Sequence, residues 1–150
     1  MSRTSAIIIS ATLFVSACAV STNEPRGAVI TFLRAVETLD TAAMLRGITL
    51  EAAYSNIPDT GLEYAGTSAD TVMVARLIKE LLPGGELYAR WTEQRMVVGN
   101  VELFADDSAL VEITRLNQQT GDQAYNKFGV VNNNGLWQIY SFKTQTGPDL

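Results

Sequence analysis

The stretch FGVVNNNGLWQIYSF, Phe128–Phe142, is the part of the chain whose reading decides the fold. Two runs rich in β-branched and aromatic residues flank Asn132-Asn133-Asn134-Gly135, and a turn ending in Asn-Gly between such runs is a strong hairpin signal. The two arms therefore read as antiparallel strands that close a sheet. Trp137, just past the turn, is expected to pack the end of that sheet as a core residue.

The alternating period continues upstream. In ALVEITRLN, Ala109–Asn117, the residues Ala109, Val111 and Ile113 share one face and Glu112 and Thr114 the other, which predicts a strand buried on one side. Turns at Ala105-Asp106-Asp107-Ser108 and Gln119-Thr120-Gly121-Asp122 bound it. The preceding run LYARWTEQRMVVGNVELF, Leu87–Phe104, is rich in strand-forming residues and reads as the first arm of the meander.

Before Pro83-Gly84-Gly85 the period becomes helical. Met73, Leu77, Ile78, Leu81 and Leu82 line one side of a helix capped by Thr67 or Ser68 and stopped by that Pro-Gly-Gly sequence. From Thr49 to Thr67 the pattern breaks at Pro58, Gly61 and Gly66, predicting loops around a short strand near Leu62–Ala65. Farther upstream Asn23 is positioned to cap a helix with Pro25 in its first turn, running to about Asp40. Its apolar face is Ala28, Val29, Phe32, Leu33, Val36 and Leu39. Asp40 then caps a short helix, TAAMLRGI, with Ala42, Leu45 and Ile48 as its apolar positions. Helices first and an antiparallel meander afterwards define an α+β domain.

The N-terminus has a different character. Arg3 is followed by AIIISATLFVSA, Ala6–Ala17, an apolar stretch shorter than the roughly 20 residues a membrane-spanning helix needs, so it reads as a secretion signal. Val15-Ser16-Ala17-Cys18 resembles the bacterial lipobox, and Cys18 is the only cysteine. The resemblance implies cleavage before Cys18 and a lipid anchor on its sulfur. Residues 1–17 are then a lipoprotein signal peptide, 18–25 a lipidated N-terminus and short linker, and 26–150 the folded domain. Ala19 lacks the aspartate that retains such lipoproteins at the inner membrane. The implied location is the cell envelope, at the periplasmic face of the outer membrane.

Composition narrows the function. With 11 basic and 16 acidic residues the net charge is -5, which disfavours nucleic acid as a partner. The chain has no histidine, so the usual neutral-pH proton shuttle is missing, and with Cys18 given to lipid no metal is expected. Asp106-Asp107 lacks the spaced ligands of a calcium loop. No glycine-rich phosphate loop opens a helix, and no serine sits in a nucleophile elbow, so no cofactor is expected.

FLRAVETLDTAAMLRGIT from Phe32, ELFADDSALVEIT from Glu102 and the terminal FGVVNNNGLWQIYSF together resemble the NTF2-like superfamily, especially its small exported lipoproteins. The resemblance implies helices packed on a strongly curved, cone-shaped antiparallel sheet. That superfamily hosts isomerases, dehydratases, cyclases, transport factors and secretion-system subunits, so the fold assigns no activity. Its dehydratase-like members use a histidine-aspartate pair, which this chain cannot supply. Asp59, Glu63, Glu93 and Glu112 remain as carboxylates for an isomerase- or cyclase-type site with a tyrosine. The aromatic residues Tyr54, Tyr64, Tyr88 and Trp91 are the candidate walls of a ligand cavity. The favoured expectation is a non-catalytic, membrane-tethered domain binding a small apolar ligand, a peptide or an envelope protein, with a tethered enzyme as the alternative. The sheet face, with Arg90, Gln94, Glu112, Thr114 and Asn126 in some combination, is the expected surface for a homodimer.

Overall fold

A computed structural model describes residues 23–56 and 67–142, except the side chains of 54–56 and 67–69. The signal segment, Cys18, Asp59, Glu63, Tyr64 and the strand expected near residues 62–65 lie outside the described residues. In chain order the elements are α1 (Pro25–Thr38), α2 (Thr41–Arg46), α3 (Leu50–Asn56), α4 (Thr67–Glu80), α5 (Glu86–Thr92), β1 (Gln94–Ala105), β2 (Ser108–Asn117), β3 (Gln123–Asn133) and β4 (Leu136–Ser141). The strands form one antiparallel sheet in the order β1-β2-β3-β4. This is the α+β arrangement expected from the sequence.

The closing hairpin forms as read. Asn134 and Gly135 both take left-handed backbone angles, φ 53 and 88, and Asn133 pairs with Leu136 across the turn. Two successive left-handed residues give a turn whose twist matches that of the flanking strands. Ala109, Val111, Ile113, Phe128, Val130 and Ile139 point from the sheet into the core, where Val29, Phe32 and Val36 of α1 meet them, and Met73 and Leu77 of α4 extend the same core beside α2, α3 and α5. Trp137 is buried at the sheet end. Register shifts between Val98 and Val101, between Leu103 and Ala105, and between Gly129 and Val130 bend the strands, so the sheet curves without closing.

The two sheet edges differ. On β4, Ile48 forms a parallel bridge with Ile139, Thr49 N–H donates to Ile139 O at 2.9 Å, and Ile139 N–H donates to Gly47 O at 2.8 Å. Gln138 Nε2 adds hydrogen bonds to the carbonyls of Arg46 and Ile48. Among the described residues no strand pairs with the β1 edge, and Val97, Val101, Leu103 and Phe104 along it are exposed.

Several expectations need correction. The run from Leu87 to Phe104 is not one strand: α5 occupies Glu86–Thr92 and the strand starts at Gln94. Leu87, Tyr88 and Trp91 recur at helical spacing and pack against the core, and Glu80 Oε2 accepts from Glu86 N–H at 2.8 Å at the helix start. Helix α3 also occupies part of the stretch read as loop, burying Ala52 and Ala53. The N-cap of α1 is Glu24 and not Asn23, with Pro25 in the first turn, and the helix stops at Thr38 because Leu39 turns left-handed, leaving Leu39 exposed. In α2 Asp40 caps as expected, its Oδ1 accepting from Ala43 N–H at 2.9 Å. The buried residue of α2 is Met44, while Ala42 and Leu45 are exposed, since the link from Ile48 to β4 sets how the helix is turned.

Candidate functional site

Helices α1 and α5 stand beside the open edge of β1 and leave a groove of about 690 Å³ between them. A second stripe of α1 lines it: Arg26, Ile30, Arg34 and Glu37 recur at spacings of three and four residues, with Leu33 and Val36 shared between this face and the core. Tyr88 and Trp91 of α5 form the facing wall. The indole of Trp91 is half-buried and closes an aromatic cluster. It lies edge-on to Phe32 and Phe142, with ring centroids 6.4 and 5.6 Å away, and tilted over Phe128 at 6.0 Å. Such a ring is held by its neighbours and still presents surface to the groove.

The floor is β1. All five residues from Gln94 to Val98 line the groove. Successive side chains of a strand point to opposite faces, so five in a row can border one cavity only if it runs along the strand's edge. Arg26 Nη2 donates to Val98 O at 3.2 Å and marks one end. Gln94 Oε1, also in the lining, is buried without a hydrogen-bond partner. The groove is basic within an acidic chain, with Arg26, Arg34 and Arg95 against the single lining carboxylate Glu37, which is exposed. Neither Arg34 nor Arg95 has an ion-pair partner among the described residues; the pair found there is Lys127–Glu102. Behind the floor, Arg115 of β2 sits opposite Met96. Burial, and then the charge of Arg90, pull its guanidinium below the usual arginine value, and its Nε is unpartnered.

Of the aromatic candidates, Tyr88 and Trp91 come together in this groove. Tyr54 lies in α3 with its side chain outside the described residues, as Tyr64 is altogether. Glu93 is exposed at the end of α5, and Glu112 lies on the outer sheet face opposite Lys127, so neither reaches the groove. The residues expected on one sheet face are divided. Arg90 belongs to α5; Gln94 and Asn126 share the inner face with Ile113; Glu112 and Thr114 face outward. A shift of one residue in a strand exchanges faces, which is why the set could not stay together. The three groove arginines and Gln94 as a lining residue were not anticipated. The repeat of Arg26, Ile30, Arg34 and Glu37 is the signal that carries Arg26 and Arg34, and it resembles an ordinary solvated helix face; Gln94 and Arg95 enter through the edge position of β1.

No protein-family profile matches the sequence, and no curated protein matches it closely enough to count as a relative. A crystal structure from Campylobacter jejuni, described as an NTF2-like transpeptidase, is similar in fold. The two share 13% sequence identity and a TM-score of 0.51, over 77% of this chain and 96% of the other. The fold of this chain is therefore NTF2-like.

Proposed function

We propose that the chain is a cell-envelope lipoprotein, anchored at the periplasmic face of the outer membrane by acyl chains on Cys18, whose NTF2-like domain binds a ligand without transforming it. The observation that carries the binding role is the groove walled by Tyr88 and Trp91 beside the open β1 edge. A concave site with rigid aromatic walls and a few polar groups is the usual form of a binding pocket. The absence of histidine and the exposure of Glu37, the lining carboxylate, favour binding over proton-transfer chemistry. Lipobox-like Val15-Ser16-Ala17-Cys18 supports the anchor. The row Val97, Thr114 and Tyr125 on the outer sheet face, with Val97 and Tyr125 exposed, offers contact to a second copy.

Native mass spectrometry of the full-length gene product, extracted from membranes in mild detergent, tests this reading. The expected species begins at Cys18, carries added acyl mass, and holds a further stoichiometric mass that dissociates on activation. An unmodified chain overturns the anchor. A lipidated chain without any bound mass or protein overturns the binding role.

A further inference from the structure

The geometry points to an extended, acidic peptide segment of a partner polypeptide as the occupant of the groove, added as a fifth strand along the edge of β1. This inference rests on the binding role proposed above and specifies its ligand.

The first argument is the backbone. Val98 turns its carbonyl away from β2 toward Arg26. In an antiparallel pair, residues that do not bond to the neighbouring strand recur at every second position, so Gln94 and Met96 present their N–H and C=O groups to the groove as well. No backbone partner meets this edge among the described residues. A small apolar molecule would leave these groups unanswered, whereas a peptide backbone pairs with them in register. Gln94 Oε1, buried and unpartnered at the start of the strand, is a further acceptor for a peptide N–H. Five lining residues at about 3.3 Å each span about 17 Å, the length of a pentapeptide strand.

The second argument is charge. Arg34 and Arg95 face the groove without ion-pair partners among the described residues, Arg26 spends one N–H on Val98, and Arg115 adds positive potential behind the floor. Side chains of an added strand alternate between the two faces of the sheet. Carboxylates at alternate positions would reach Arg95 on the outer face, apolar residues between them would rest against Tyr88, Trp91 and Met96 on the inner face, and Arg34 on α1 would add positive potential across the groove.

The test uses the mature lipidated chain in detergent with three pools of acetylated, amidated pentapeptides. One pool has glutamate at positions two and four and mixed apolar residues elsewhere; the second has lysine in place of glutamate; the third is the glutamate pool N-methylated at alternate amides. The glutamate pool is expected to bind, to slow amide exchange across 94–98, and to bind about tenfold more weakly to R34E and to R95E. The lysine and N-methylated pools are expected to fail. Equal binding of glutamate and lysine pools, or binding without protection of 94–98, overturns strand addition by an acidic segment. If no pool binds while native spectra still show a bound mass, this inference falls and the binding role stands. If neither is seen, both fall.

Discussion

The ring of Tyr140 lies directly over the α-carbon of Gly129 on the neighbouring strand, so close that a Cβ at position 129 would meet Tyr140 Cζ at 2.5 Å. The contact falls where β3 and β4 shift register, between Gly129 and Val130. Gly129→Ala is therefore expected to destabilise the domain by about 1–3 kcal/mol, the usual range for overpacking a close contact. Urea unfolding checks it, and the G129A/Y140A double variant separates the cause. If the ring is the obstacle, the two losses are less than additive.

Asp40 holds the start of α2 through its bond from Ala43 N–H. Asp40→Ala should lower stability by about 1 kcal/mol, and Asp40→Asn should retain most of it, because asparagine accepts the same bond. Urea midpoints for the two variants measure the difference. Equal losses in both would show that the carboxylate's charge, and not the cap, is what matters.

Trp91 serves the core and the groove at once. Trp91→Ala is expected to cost about 2–3 kcal/mol, below the range of about 3–5 kcal/mol for fully buried aromatics, since one side of the ring is open. Tyr88→Ala should lose far less stability and still weaken binding of the glutamate peptide pool. Matched losses of stability and binding in the two variants would argue against a wall role for Tyr88.

Lys127 Nζ lies 2.9 Å from Glu102 Oε2 on the outer face of the sheet. The hydrogen bond first, and the carboxylate's charge second, hold its ammonium above the usual lysine value of 10.5. A raised folded-state value means that any stabilisation is present below the unfolded lysine range and disappears as pH climbs through the folded one. Because the pair is open to solvent, K127M should leave the urea midpoint at neutral pH nearly unchanged. Any difference from the parent chain should vanish above the lysine range; one that persists there would assign it to packing of the methylene stem.

Cys18→Ala in the full-length chain should abolish incorporation of an alkyne-labelled fatty acid. It should also move the protein out of the membrane fraction after a carbonate wash. Each buried methylene of an acyl chain contributes about 0.8 kcal/mol to anchoring, so several chains on one residue resist such a wash. Membrane retention of C18A through the wash would rule out a tether at this residue.

The closing hairpin was legible because its information is local: Asn134-Gly135 specifies a turn, and alternating residues on both sides specify the faces. Helix α5 was not, because Leu87, Tyr88 and Trp91 are residues that strands favour, and tertiary packing outweighed that preference. Tyr88 and Trp91 were recognisable as candidate walls by residue type alone. Arg26 and Arg34 were not, since a charged stripe on an exposed helix face carries no sign of what will stand opposite it, and Arg95 was not, since its face depends on the register of β1. Gln94 and Asn126 turned inward because pairing register, with its shifts at the bulges, decides which way each side chain points.

The unequal edges of the sheet also limit how copies of this chain can assemble. Filaments that grow by strand pairing need two open edges on every unit, one to accept and one to offer. Here the middle of β4 is occupied by the chain's own Gly47-Ile48-Thr49, and among the described residues β1 alone is open. Two molecules joined through β1 would have spent the one edge each possesses, so growth by this route ends at a pair. An arrangement with one covered and one open edge is thereby protected from open-ended polymerisation by strand pairing.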